Sequence, residues 1–180
     1  MLFALPAGAV AASESFSVEQ LFRLLSQERD QEIPFEETRV LDVLQAPMNA
    51  EGHVRHEPPN TLIRKVERPY QQSLIIEGQE VTIKEDGRVI RQLHRDDDAG
   101  LAVLTRLLQA LNDGESAELS DYFEIRLSGS RAEWELAMTP EARAARRRIA
   151  EVVLSGSEGW LEKVVIRESN GDRTETRFLR

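Results

Sequence analysis

Ser73-Leu74-Ile75-Ile76-Glu77-Gly78-Gln79-Glu80-Val81-Thr82-Ile83-Lys84-Glu85-Asp86-Gly87-Arg88-Val89-Ile90-Arg91-Gln92-Leu93 is the stretch that decides the fold. Three short apolar runs are parted by Gly78-Gln79 and by Asp86-Gly87, the second a strong hairpin signal. Val81 and Ile83 share one face of their run. The spacing predicts an antiparallel meander.

The same grammar continues in both directions. Upstream, strands are predicted at 35–44, ending before Ala46-Pro47, at 51–56, stopped by Pro58-Pro59, and at 61–66. Downstream, 122–127 and 132–138 are parted by Ser128-Gly129-Ser130, and 149–154 follows. Residues 160–168 and 173–179 are joined by Asn170-Gly171, the strongest hairpin signal in the chain.

Helices interrupt this pattern in few places. Ser17 and Gln20 are spaced as a capping box, and Phe16 and Leu21 as a hydrophobic staple. Val18, Leu21, Leu24 and Leu25 give the helix that follows an apolar stripe. A longer helix is predicted over 99–112. Leu101, Leu104, Leu108 and Leu111 fall on one of its faces, widened by Val103 and Leu107. Asp96-Asp97-Asp98 ahead of it suits the helix dipole, and Asn112-Asp113-Gly114 ends it. Thr139-Pro140-Glu141 reads as the start of a short third helix with Pro at its first position.

The chain has 180 residues, 41% of them apolar and 31% charged, enough for one domain with a proper core. Its net charge of −9 opposes nucleic-acid binding. With no cysteine there is no disulfide framework, thiolate metal site or cysteine nucleophile. Residues 1–15 open with an apolar, small-residue stretch. In it Ala9-Val10-Ala11 fits the small-x-small pattern of a signal-peptidase site. The expected organisation is a signal-peptide remnant over 1–15 and a single domain over 16–180.

Candidate chemistry is sparse. His53 and His56 stand three apart, which on a strand points them to opposite faces and argues against a metal pair. No G-x-S-x-G elbow or glycine-rich phosphate loop is present, and His94 has no evident catalytic partner. Arg146-Arg147-Arg148 reads as a solvated helix end. Trp134, Leu136 and Met138 form an alternating apolar face that serves equally as sheet core or cavity lining.

A set of short motifs then falls in a recognisable order. Phe35-Glu36-Glu37-Thr38 matches F-x-x-T/Q, and Gly52-His53-Val54 matches a Gly-x-Val strand. Pro59-Asn60-Thr61-Leu62 matches a P-N-x-L turn, and Arg68-Pro69 precedes the hairpin that starts with Leu74. Trp134-Glu135-Leu136-Ala137-Met138-Thr139-Pro140 matches W-x-L-x-x-T-P, and a final hairpin runs from Val164 to Thr174. Over about residues 16–179 the chain resembles the LolA family of periplasmic lipoprotein carriers, and more closely the branch found with lipid and polyene export systems. One departure stands out. Pro58 occupies the position of the family's lid-pinning arginine, for which Arg64 is the candidate substitute.

The resemblance implies an α+β fold: an unclosed antiparallel β-barrel, a curved sheet with a helical lid over a hydrophobic cavity. It implies a non-enzymatic, monomeric periplasmic carrier without cofactor or metal. Such a carrier would receive acyl chains of a lipoprotein or another lipid from an inner-membrane exporter and hand them to an outer-membrane acceptor. A non-catalytic regulatory sensor on the same scaffold is the alternative. Strand parity makes Leu74, Ile76, Val81, Ile83, Trp134, Leu136, Met138, Val164 and Ile166 the expected cavity walls. Val18, Leu21, Leu25, Leu101, Leu104, Leu108 and Leu111 are the expected lid.

Overall fold

The computed structural model describes residues 16–26, 32–57 and 61–180. The expected signal remnant and the Pro58-Pro59-Asn60 turn lie outside the described residues, and the lid-pinning position at Pro58 goes with them.

The strands are β1 (Ile33–Val40), β2 (Met48–Glu57), β3 (Thr61–Arg68), β4 (Gln72–Glu77), β5 (Glu80–Glu85) and β6 (Arg88–His94). After a helical excursion come β7 (Phe123–Ser130), β8 (Glu133–Pro140), β9 (Ile149–Ser157), β10 (Trp160–Glu168) and β11 (Arg173–Phe178). They form one antiparallel sheet in the order β6-β5-β4-β3-β2-β1-β11-β10-β9-β8-β7. Two meanders are therefore welded through the β1–β11 pair. β6 and β7 stay unpaired with each other, so the barrel is unclosed, as expected.

Helix α1 (Val18–Leu25) carries the predicted capping box: Ser17 Oγ accepts from Gln20 N–H, and Gln20 accepts from Ser17 N–H. Helix α2 (Ala99–Asp113) starts at Asp98, whose carboxylate accepts from the Gly100 and Leu101 amides. It ends at Gly114, which takes the left-handed conformation that favours glycine. Single-turn 3-10 segments at Arg95–Asp97 and Ala117–Asp121 flank α2.

Several boundaries differ from expectation. β1 stops at Val40, and residues 41–47 form a turn region, with Leu44 N–H bonded to Leu41 O. Strands β7 and β8 run through Ser128-Gly129-Ser130, because Gly129 pairs with Trp134 and the chain reverses only at Arg131-Ala132. Pro140 opens no helix. It is the last residue of β8, buried and paired with Phe123, and α3 (Arg143–Arg146) begins after Ala142. Proline suits a strand end, where its missing N–H breaks no ladder.

The main core lies on one half of the sheet's inner face. Trp134, Leu136 and Met138 of β8 meet Val152 and Leu154 of β9, Leu21 and Phe22 of α1, and Val103, Leu107 and Ala110 of α2. Trp134 lies opposite Gly156, where any Cβ would fall 2.6 Å from the indole ring. The glycine is thus what allows the indole to lie flat on the sheet.

Candidate functional site

The other half of the inner face is not filled. A cavity of about 670 Å³ lies between it and α2. Its roof is the stripe Leu101, Leu104, Leu108 and Leu111, all half-buried. The adjacent flank of the helix, Val103 and Ala110, is buried in the packed core. Leu107 is buried too and reaches both sides. One amphipathic helix therefore divides its leucines between a dry contact and a void. It is tied down by Gln109, which donates to the Gly78 carbonyl at 2.8 Å in the β4–β5 turn and accepts from Arg95 at 2.6 Å.

Of the expected walls, Leu74, Ile76, Ile83, Val164 and Ile166 border this cavity. Val81 sits on the same face of β5 as Ile83 but is fully buried and does not border it. Trp134, Leu136 and Met138 belong to the packed core instead, sealed beneath α1 and α2. Of the expected lid, Leu25 and the four α2 leucines line the cavity. Leu21 is fully buried in the core, and Val18 packs against it.

Sequence reasoning missed the polar side of the site. Rows of side chains cross the inner face from strand to strand. One runs Leu136, Leu154, Val164, Thr176, Glu37. The next runs Met138, Val152, Ile166, Thr174, Arg39. Both change from aliphatic to hydroxyl to charge at the β10–β11–β1 junction. Glu37, Arg39, Arg64, His56, Thr174 and Thr176 all line the cavity.

Glu37 is the hub. Its side chain is 3% exposed and meets Arg39 Nε at 2.9 Å and an Arg64 terminal nitrogen. The Thr176 hydroxyl donates to it at 3.0 Å. Burial alone would raise the Glu37 carboxyl, but Arg64, Arg39 and these hydrogen bonds outweigh it and hold the group below the usual carboxylate range. Arg64 reaches Glu37 across the ring of Phe35, its guanidinium 4.6 Å from the ring centroid. Gly52 stands opposite Phe35; a Cβ there would fall 1.9 Å from the Lys65 carbonyl oxygen, so the glycine permits the close approach of β3 beside the Glu51–Gly52 bulge. Arg64, the candidate lid pin, thus bonds the sheet floor instead.

His56 lines the same wall with both ring nitrogens shielded from solvent and without a hydrogen-bond partner among the described residues. His53 turns to the other face, toward Glu32 and Glu67 at 3.4 and 3.6 Å, as the three-residue spacing requires. The parity of Phe35-x-Glu37-x-Arg39 was the available signal for the polar strip: an apolar residue at a buried position followed by charges at equivalent positions.

No curated protein sequence matches the chain. Among solved structures it is similar to a LolA superfamily protein from Nitrosomonas europaea, with 11% identity, 92% of this chain and 93% of the other covered, and a TM-score of 0.47. MucB of Pseudomonas aeruginosa in its complex with MucA gives 14% identity, 88% and 52% coverage, and 0.43. LprF from Mycobacterium bovis gives 10% identity, 90% coverage of each chain, and 0.40. The model of the family described as "outer membrane lipoprotein carrier protein LolA-like" matches residues 10–179, and the chain belongs to that family.

Proposed function

We propose that the protein is a periplasmic carrier that takes an acyl chain of a lipoprotein or another lipid into the cavity beneath α2 and ferries it toward the outer membrane. The observation that carries this reading is a hollow of about 670 Å³ walled by half-buried leucines and isoleucines on the sheet and roofed by the leucine stripe of α2. That volume falls within the roughly 300–1,000 Å³ of small-molecule sites. Family membership supports a lipid- or lipoprotein-binding role in place of catalysis. In this reading an inner-membrane exporter loads the cavity and an outer-membrane acceptor empties it. Among the described residues no helix is long and apolar enough to cross a membrane.

The energetics suit a shuttle. Burying a ~16-carbon chain at ~0.8 kcal/mol per methylene is worth about 12 kcal/mol gross. To enter beneath α2, cargo must shift a helix held by Gln109 and give up its own chain freedom. Those costs lower the net affinity and leave release possible.

The test is extraction of protein purified from a periplasm, with mass spectrometry of the organic phase. Acyl-containing species at near-stoichiometric amounts are expected. An empty extract, together with no binding of an apolar fluorescent probe, contradicts the carrier reading.

A further inference from the structure

We propose that the lipid held in the cavity carries an anionic head group, a carboxylate or a phosphate, and that Arg39 and Arg64 bind it. This rests on the carrier reading and adds a head-group site to it.

Charge favours an anion. The whole chain carries −9, yet Arg39, Arg64 and Arg148 match Glu37, Asp98 and Glu168 in number along the cavity wall, so the site is far less acidic than the protein around it. At its centre two arginines share the single carboxylate of Glu37. The pair of arginines therefore carries one more charge than its carboxylate neutralises, at a point where the strip meets solvent and an incoming anion can reach it.

Hydrogen bonding favours it too. Each guanidinium has five N–H donors. Arg39 and Arg64 each spend theirs on Glu37 alone among the described residues, while both Glu37 oxygens are already occupied by Arg39, Arg64 and Thr176. The guanidinium donors far outnumber the sites on this one carboxylate, which already accepts three hydrogen bonds. His56 adds two shielded ring nitrogens without partners among the described residues. It stands opposite Leu62 in the β2–β3 register, one diagonal step from Arg64, about 7–8 Å and within reach of a long side chain. An acceptor-rich head satisfies these groups; the neutral head of an ester or alcohol brings no charge to match.

The placement of the polar strip suits a head group. Along β1 the Glu37 side chain is 3% exposed and that of Arg39 is 40% exposed, so the polar strip runs from the interior to the solvent. Aliphatic walls flank it on both sides, Leu74 and Ile83 on one and Val164 and Ile166 on the other. A head at Arg39 leaves the tail between these walls and the α2 roof. Charge-assisted pairing of this kind fixes orientation as well as affinity.

The experiment is competition against an uncharged fluorescent probe, using palmitate, hexadecyl phosphate and methyl palmitate. The wild-type chain is expected to prefer at least one of the two anions over the ester by about tenfold. Which anion wins separates a carboxylate head from a phosphate head. Arg39→Gln, which keeps the Glu37–Arg64 pair, should erase most of that preference. Glu37→Gln frees both arginines and should raise it. A merely structural cluster would not move the anion-to-ester ratio in opposite directions in the two variants. Displacement by all three compounds without preference overturns the head-group site and leaves the carrier reading standing. Displacement by none overturns both.

Discussion

On the β7–β9 wing Trp134 lies over Gly156, and on the β1–β3 wing Phe35 pairs with Gly52. Both halves of the sheet thus set a buried aromatic opposite a glycine. What covers the ring differs. Above Trp134 come α1 and α2 and a cluster of fourteen buried apolar residues. Above Phe35 comes the Arg64 guanidinium, in a cluster with three buried apolar residues among those described, and beyond it the cavity. One continuous face is closed by helices on one side and left hollow on the other. If the cavity is the binding site, stability and binding fall to different wings, and a change in one need not damage the other.

Mutations should expose that division. The largest effect is expected from Trp134→Ala, which empties the dry wing and loses the indole bond to the Glu158 carbonyl. A loss of about 3–5 kcal/mol in chemical denaturation is expected. A loss below 1 kcal/mol would mean that this wing is not the stable half. On the hollow wing Leu74→Ala should cost only about 1–2 kcal/mol. Its side chain already borders a void, so truncation enlarges a cavity without creating one. Equal losses at the two sites would erase the contrast.

How much of this was legible in the sequence follows the same line. Meander order, hairpin turns, capping box and both long helices were readable, because they depend on local periodicity and turn chemistry. Which alternating apolar faces are core was not. Trp134-x-Leu136-x-Met138 and Leu74-x-Ile76 carry the same pattern, and only the position of α2 decides which is sealed. The split of α2 into Leu104 toward the void and Val103 toward the core is equally tertiary. The Glu37–Arg39–Arg64 cluster is intermediate. Its parity was visible, but the pairing of Arg64 with Glu37 needs the β1–β2–β3 register.

That cluster gives a pH-dependent prediction. The folded carboxyl of Glu37 lies below its unfolded value, so its stabilisation is fully present above the usual range near ~4.3 and is lost as pH falls through the lowered folded value. Glu37→Gln should lower stability by about 1–3 kcal/mol at neutral pH. Its melting temperature should converge with that of the wild type as pH falls toward the lowered folded value. Curves that stay parallel into acid would remove Glu37 from the acid response. The smallest stability effect is expected from Leu104→Asp, because this roof residue is half-buried and borders the hollow. Apolar-probe binding should weaken about tenfold while the melting temperature moves by only a few degrees. Parallel loss of binding and folding would make Leu104 ordinary core.

Photo-crosslinking with a diazirine-bearing fatty acid, read out by peptide mapping, tests directly whether the hollow wing holds an acyl chain. Label is expected on the peptides that carry Leu74, Ile83, Leu104 and Ile166, with the segment from Trp134 to Met138 left clean. Label concentrated on that segment, or spread evenly over the outer surface, would contradict an acyl chain seated beneath α2.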